Sequence, residues 1–301
     1  MVKSYFDPFQ DAAHQSRPAL LKRKVHVLPY AKPDTEHRKW LIKNPDKNLS
    51  EVKDKKISGA IDLEKVKSLK LHSKIFACSK GSTRMALITT CAFSKFDAIE
   101  YGIIVDGETA DSVFNAVNGL YEHLNGAAVD SSEITTLYGQ LSQKGIVFND
   151  PYYGVRELTD GLYNAIQDAN SSLVIVVKEF TSQDFARHII NVMNDKTLSV
   201  RIFASKWPDS HVRKILTDKN CPKRPTIHEK SATKEIHGNL FLFDGSRALF
   251  CTAYPSDRAL NLHPDSHRSR ESGFWIEDRE TLKSVAKQFN DEIFEGIVPK
   301  D

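Results

Sequence analysis

The sequence contains two distant stretches, HSKIFACSKGSTRMALITT (residues 72–90) and HGNLFLFDGSRALFCT (residues 237–252), that follow the same pattern. Each opens with a histidine and, two positions later, a second polar side chain. Each then continues through an apolar run, a Gly-Ser pair and another apolar run. Short apolar runs with period-two alternation are typical of strands, and a Gly-Ser pair between them is typical of a turn. The pattern therefore predicts two strands joined by a turn, and it predicts them twice.

The likeness between the two stretches continues beyond the second strand. A Glu-x-Gly triplet, residues 100–102 and 271–273, leads into a third apolar run, which is followed by an acidic turn, an amphipathic helical pattern and a glycine. A segment of similar length precedes each of the two histidines. A repeat of this period indicates a duplicated domain and not a solenoid of short units.

Between residues 158 and 206 the chain alternates between two kinds of pattern. LTDGLYNAIQDANSS and SQDFARHIINVMND have apolar residues at helical spacing, whereas LVIVVKEF and SVRIFAS are short apolar runs. Helices that alternate with buried strands indicate an α/β layer with a largely parallel sheet.

Charge is distributed unevenly along the chain. Of 42 Lys/Arg and 39 Asp/Glu, residues 1–74 contain 17 and 9, so this segment has a net charge of +8 and the remainder has −5. A basic segment of this kind can bind a polyanion such as nucleic acid or an anionic lipid surface.

No apolar run approaches the roughly 18–20 residues of a membrane span, and the N-terminus lacks the apolar core of a secretory signal. We therefore expect no transmembrane segment and a cytoplasmic location.

The two repeats resemble the phospholipase D superfamily, whose members pair two His-x-Lys-x4-Asp motifs, one in each lobe. His72 and Lys74 match the first two positions of one motif, in which a serine replaces the aspartate. His237 and Asp244 match the first and last positions of the other, in which Asn239 replaces the lysine. The resemblance covers most of the chain, and neither motif is complete.

The resemblance implies an α/β fold with two pseudo-symmetric lobes, each a mixed, mostly parallel sheet flanked by helices. We place an N-terminal arm at residues 1–20 and the first lobe at residues 21–130. A connector follows at residues 131–157, and the second lobe occupies residues 158–301.

The resemblance also implies chemistry at a phosphodiester. His72 is expected to attack the phosphorus and form a phosphohistidine, and His237 is expected to act as general acid and base. Lys74 and Asn239 would hold the phosphate oxygens. The roles of the two histidines are interchangeable at this stage, because the pseudo-symmetry makes them equivalent in sequence.

Further side chains are assigned to the site by their positions in the two repeats. Glu100 and Glu271 match the carboxylates that orient each histidine from across the cleft in this family. Four more side chains are predicted to bind the substrate: Thr90, Thr252, Asp244 and Arg270. We predict no metal site and no cofactor.

Three functions are compatible with these residues. The first is a metal-independent nuclease that cleaves DNA or RNA, supported by the basic N-terminal segment. The second, from another class, is a catalytically degenerate protein that binds nucleic acid or serves as a scaffold, supported by the incomplete motifs. The third is a phospholipase or phosphatidyl transferase.

For a nuclease we expect aromatic side chains near the cleft, with Tyr254, Trp207 and Trp275 as candidates. Nucleic acid is the expected partner, and a homo-oligomer is left open.

Overall fold

The protein is an α/β structure in which helices flank a mixed β-sheet. A computed structural model describes residues 72–80, 83–90, 98–124, 130–206, 210–228, 235–262 and 268–292. The predicted N-terminal arm and nearly all of the basic N-terminal segment lie outside these ranges, as does Trp207. The described strands form a three-stranded sheet, a seven-stranded sheet and one two-stranded pair.

The strands are β1 (Lys74–Lys80), β2 (Thr83–Thr89), β3 (Ala98–Ile99), β4 (Gly102–Asp106), β5 (Ile146–Asn149), β6 (Ser172–Glu179), β7 (Ser199–Lys206), β8 (Thr226–His228), β9 (Glu235–Ile236), β10 (Asn239–Phe243), β11 (Arg247–Cys251) and β12 (Glu271–Ile276). The helices are α1 (Gly107–Leu124), α2 (Ser131–Gln143), α3 (Glu157–Asp168), α4 (Gln183–Asp195), α5 (Ser210–Leu216) and α6 (Arg279–Glu292).

The seven-stranded sheet has the order β5-β12-β11-β10-β6-β7-β8. Only the pairs β6–β7 and β7–β8 are parallel, and the other four pairs are antiparallel. The sheet is therefore mixed, as predicted, but the prediction of a mostly parallel sheet is wrong. The reason lies in the connections. A short turn joins β10 to β11 and allows only antiparallel pairing, whereas helices α4 and α5 link the parallel strands.

Strand β6 shows why the middle of this sheet is a continuous apolar run in the sequence. Leu173 and Ile175 face one core cluster, in which α3 and α4 pack on the sheet. Val174 and Val176 face a second cluster, which joins the seven-stranded sheet to the three-stranded one. Successive side chains of a strand point to opposite faces, so a strand that is covered on both faces loses the polar half of its alternation.

The same order of elements occurs at the two ends of the described chain. β1, β2 and β4 form an antiparallel sheet that is followed by α1, and β10, β11 and β12 form an antiparallel unit that is followed by α6. Thr89 lies opposite Gly102 in the first unit, and Cys251 lies opposite Gly273 in the second. The lobe boundaries stay a prediction. Within the predicted connector, β5 pairs with β12 of the large sheet.

Candidate active site

Two very short strands bring the first histidine–glutamate pair together. β3 pairs with β9 in parallel, with Ile99 opposite Ile236. The next residue on each strand is therefore Glu100 on one side and His237 on the other. His237 Nδ1 contacts Glu100 Oε1, and both side chains are largely buried, with 14% and 7% of their surface exposed.

A different backbone contact forms the second pair. The main-chain N–H groups of His72 and Ser73 both donate to the carbonyl oxygen of Arg270, at 2.9 Å each. This places His72 beside Glu271, the first residue of β12, and His72 Nδ1 lies 2.7 Å from Glu271 Oε2. Glu271 is almost completely buried. Each histidine thus contacts the glutamate of the other half of the chain.

The two threonines lie behind the glutamates. Thr90 Oγ1 donates to Glu100 Oε2, and Thr252 Oγ1 donates to Glu271 Oε2, each at 2.5 Å. Each threonine oxygen also accepts a main-chain N–H, from Tyr101 at 2.9 Å and from Ser272 at 3.0 Å. This placement differs from the predicted contact with substrate, because both threonines are buried and their hydroxyl groups orient the carboxylates instead.

Ser269 is a site residue that the sequence reasoning missed. Its Oγ donates to Glu271 Oε1 at 2.6 Å, so Glu271 accepts hydrogen bonds on both oxygens. Although burial raises the pKa of Glu271, His72 and these hydrogen bonds outweigh burial and lower it, so the group is a carboxylate at neutral pH. Ser269 lies two positions before Glu271, and no motif distinguishes it from other serines in the sequence.

Lys74 lies against His72 and is almost fully buried. Its Nζ donates to the His72 carbonyl oxygen at 3.0 Å and lies 3.3 Å from His72 Nε2. An ammonium group has no acceptor, so Nε2 accepts in this contact and the ring proton is on Nδ1, facing Glu271. Burial, the charge of Lys74 and that of His237 together lower the pKa of His72, against the opposing effect of Glu271. His72 is therefore neutral at pH 7, with a lone pair on Nε2.

Asn239 occupies the position that corresponds to Lys74 but is used differently. Its Nδ2 donates to the carbonyl oxygens of Cys251 and Thr252, both at 3.2 Å, and its Oδ1 accepts the Lys178 N–H at 3.2 Å. Both amide hydrogens are engaged within the fold. The arrangement thus differs from the predicted contact with a phosphate, because Asn239 ties β10 to its neighbours.

Asp244 lies at the opposite end of β10 from Asn239, about 15 Å away at the rise of an extended strand. Its carboxylate accepts hydrogen bonds from the main-chain N–H groups of Asn170, Ser171 and Ser172 and from the Ser171 hydroxyl. This placement differs from the predicted contact with substrate, because the side chain holds the turn before β6.

Arg270 also lies away from any open surface. Its Nε donates to Asp150 Oδ1 at 2.9 Å, and the two side chains are 3% and 1% exposed. Tyr138 donates its hydroxyl proton to the other Asp150 oxygen at 2.8 Å. This placement differs from the predicted contact with substrate, because the side chain forms a buried ion pair. Its carbonyl oxygen, which holds His72 and Ser73, still contributes to the site.

Gly238 is required by the close approach of the two halves. A Cβ atom at this position would lie 2.6 Å from Tyr101 Cδ2 and 2.7 Å from Thr90 Oγ1. Any larger side chain would displace Thr90, which orients Glu100, or His237 itself. The glycine in HGN therefore has a packing reason that the sequence did not reveal.

One of the predicted aromatic side chains lies at the site. The rings of Tyr254 and His72 are 6.5 Å apart, edge to face. Trp275 lies elsewhere on the sheet, with the Arg247 guanidinium 3.9 Å above its ring. Contact between Tyr254 and a substrate stays a prediction.

The fold is similar to those of solved structures of other proteins. Polyphosphate kinase from Porphyromonas gingivalis superimposes with a TM-score of 0.51 and 11% sequence identity, over 73% of this chain and 32% of the other. Phosphatidylserine synthase from Haemophilus influenzae Rd KW20 gives a TM-score of 0.50 and 14% identity, over 73% of this chain and 61% of the other. The chain thus spans about a third and about three fifths of the lengths of these two proteins.

NucT from Helicobacter pylori is a more distant match, with a TM-score of 0.39 and 18% identity over 49% of this chain and 94% of its own length. No protein-family profile matches the sequence, and no curated protein is significantly similar to it. None of the helices in the described ranges is both long and apolar enough to cross a lipid bilayer.

Proposed function

We propose that the protein is a metal-independent phosphodiesterase that cleaves DNA or RNA through a phosphohistidine intermediate. The observation that carries this proposal is the pair of crossed histidine–glutamate contacts, His72 with Glu271 and His237 with Glu100. Each ring uses Nδ1 for its glutamate, so Nε2 is the ring nitrogen assigned to the substrate, and at His72 this atom lies beside Lys74 Nζ. The charge of His237 also acts on the pKa of His72, as expected for two rings that share one site.

In the first step, the lone pair of His72 Nε2 attacks the phosphorus and forms an N–P bond. The P–O bond to the leaving group breaks, and that oxygen takes the proton from His237 Nε2. In the second step, His237 removes a proton from water, the resulting oxygen attacks the phosphorus, and the N–P bond breaks to restore neutral His72. Glu271 stabilises the positive charge that the His72 ring carries while it is phosphorylated, and Lys74 offsets the negative charge on the phosphate oxygens.

The charges around the two rings favour His72 as the nucleophile. Burial and Lys74 lower the pKa of His72, so its Nε2 is unprotonated at neutral pH. At the corresponding position beside His237, Asn239 brings no charge. The replacement of one lysine by asparagine thus separates two roles that the sequence alone leaves interchangeable.

The proposal is tested by cleavage of labelled single- and double-stranded DNA and RNA in EDTA. Wild type, His72→Ala and His237→Ala are compared with Asp244→Asn, whose side chain lies at the far end of β10. We expect Asp244→Asn to cleave like wild type and both histidine variants to lose at least about a thousandfold in rate. Covalent label that is stable to base, labile to acid and absent from His72→Ala would identify the intermediate.

A second candidate is a protein that binds nucleic acid without cutting it. Both amide hydrogens of Asn239 are used within the fold, and this favours the alternative. Of the two equivalent positions, Lys74 and Asn239, only Lys74 then remains to bind a phosphate. Salt-sensitive binding with no cleavage of any of the four nucleic acids would support it and contradict the nuclease. Turnover of a short-chain phospholipid alone would instead assign a lipid substrate.

A further inference from the structure

A basic stretch of chain lies on one edge of the large sheet. Residues 196–230 contain nine Lys/Arg and three Asp/Glu, a net charge of +6. Residues 75–301 as a whole have a net charge of −5, so the chain around this stretch is strongly acidic. The positive charge of the second half is therefore concentrated in the segment that forms β7, α5 and β8.

The basic side chains on and beside α5 point away from the core. Val212 and Leu216 are buried in the cluster formed by α3, α4 and the sheet. Arg213, Lys214 and Lys219 are exposed. Because one face of a short helix is buried in this way, its remaining positions form a surface stripe. We call the four exposed residues Lys206, Arg213, Lys214 and Lys219 the α5 strip.

The α5 strip begins next to the proposed active site. Ser205 Oγ, at the end of β7, accepts the main-chain N–H of Ile236 at 3.2 Å. Lys206 follows Ser205 in the sequence, and His237 follows Ile236. The hydrogen bond between Ser205 and Ile236 therefore brings the first residue of the strip close to His237. From Lys206 the chain enters α5, which is about 10 Å long at 1.5 Å per residue. A polyanion bound at His237 thus has exposed basic side chains beside it, with Lys206 the first of them.

We propose that the α5 strip binds the phosphate backbone of a nucleic-acid strand that extends beyond the reacting phosphodiester on the His237 side. This inference rests on the proposed function and names its substrate as a polymer. An anionic membrane is the competing partner, but peripheral membrane binding also requires apolar side chains that insert between lipids. The exposed large apolar side chains of the described ranges are Met85, Ile104 and Tyr152, and none of them lies on the strip.

Binding of a polyanion by lysine and arginine releases counterions, so the affinity falls with salt in proportion to the number of phosphates contacted. Each contact with a single strand contributes about 0.7 to the slope of log affinity against log salt. Arg213→Gln with Lys214→Gln should therefore reduce the slope by about 1.4 and weaken binding about 10- to 30-fold at 0.1 M salt. Arg213→Lys with Lys214→Arg retains both charges and should retain the slope.

The experiment measures fluorescence anisotropy of a labelled single-stranded oligonucleotide between about 50 and 200 mM salt. The matched control is Arg279→Gln with Lys283→Gln, which removes two exposed charges from α6 on the opposite face of the sheet. Turnover of bis(p-nitrophenyl) phosphate, which is too small to reach the strip, should be equal in all four proteins.

The two proposals fail in different ways. If oligonucleotides are cleaved but the α5 double variant keeps the wild-type slope, the strip is refuted and the nuclease stands. If nothing is cleaved but the slope still falls only in the α5 variant, the strip stands and the nuclease is refuted. Binding to vesicles of phosphatidylserine and phosphatidylcholine, with no binding to oligonucleotides, would overturn the strip's assignment to nucleic acid.

Discussion

Replacement of Glu271 by glutamine isolates the role of its charge. Glu271 Oε2 accepts from His72 Nδ1 and Thr252 Oγ1, whereas Oε1 accepts from Ser269 Oγ. In Glu271→Gln the amide oxygen should take the position of Oε2, where it accepts from His72 and Thr252. The amide nitrogen should then take the position of Oε1 and donate to the Ser269 hydroxyl, which can rotate to accept. The shape of the site and the proton on His72 Nδ1 are then retained, and only the negative charge is lost.

The size of the effect follows from the hydrogen bond that changes. A hydrogen bond to a charged group contributes about 1.5–3 kcal/mol, and a neutral one contributes about 0.5–1.5 kcal/mol. The difference is about 1–2 kcal/mol, which corresponds to a loss of about 5- to 30-fold in kcat/KM. The ring of His72 becomes positive as the N–P bond forms, so the loss should appear in kcat.

The pH profile gives an independent readout. Glu271 opposes the lowering of the His72 pKa, so its neutralisation lowers that pKa further. His72 must be neutral to attack, and therefore the acid limb of kcat/KM should move to lower pH in Glu271→Gln. Kinetics with a chromogenic diester, beside a urea titration that checks folding, measure both effects. A variant as active as wild type, or an acid limb that moves to higher pH, would refute the reasoning.

Three further changes have defined outcomes. Lys74→Met should reduce kcat about 10²- to 10³-fold and move the acid limb to higher pH, because the charge of Lys74 lowers the pKa of His72; an unchanged profile would contradict this. Arg270→Met should lower the free energy of unfolding in urea by about 3–5 kcal/mol, since it leaves the buried charge of Asp150 unpaired, whereas Arg270→Met with Asp150→Asn should recover most of the loss. Asp244→Asn should retain activity and lose about 1–2 kcal/mol of stability near neutral pH. Burial raises the pKa of Asp244, but its hydrogen bonds outweigh burial and lower it, so wild type and this variant should converge as pH falls below the usual aspartate value.

The sequence was informative about elements whose pattern is local. The apolar runs at residues 75–89 and 240–251 are strands, and the helical spacing in residues 183–195 is an α-helix, with Ser182 capping its first turn. The direction of strand pairing was harder to predict. A continuous apolar run such as residues 173–177 occurs in any strand covered on both faces, so it did not reveal that β6 pairs in parallel with β7 and antiparallel with β10.

The same division applies to the candidate site. The His-x-Lys triplet, the matching HGN of the second repeat and the two Glu-x-Gly triplets led to the prediction of His72, Lys74, His237 and the two glutamates as site residues. The order of the repeat can be read from the sequence alone, and the roles of these residues stay a prediction. In the structure Thr90, Thr252, Asp244 and Arg270 make contacts within the fold, and their contact with a substrate stays a prediction. Whether a polar side chain faces a cleft or a neighbouring main chain depends on what packs beside it.

The sequence by itself determined which residues are available for chemistry and that they occur twice, since both facts depend only on the order of residue types. The tertiary structure alone decided that each histidine meets the glutamate of the other half and that Asn239 is used by the fold. It also decided that burial, together with the charge of Lys74, lowers the pKa of His72. The two histidine–glutamate contacts join residues that are far apart in the sequence, 199 positions for His72 and Glu271. The free energies of burial and charge act through distance in space and not along the chain.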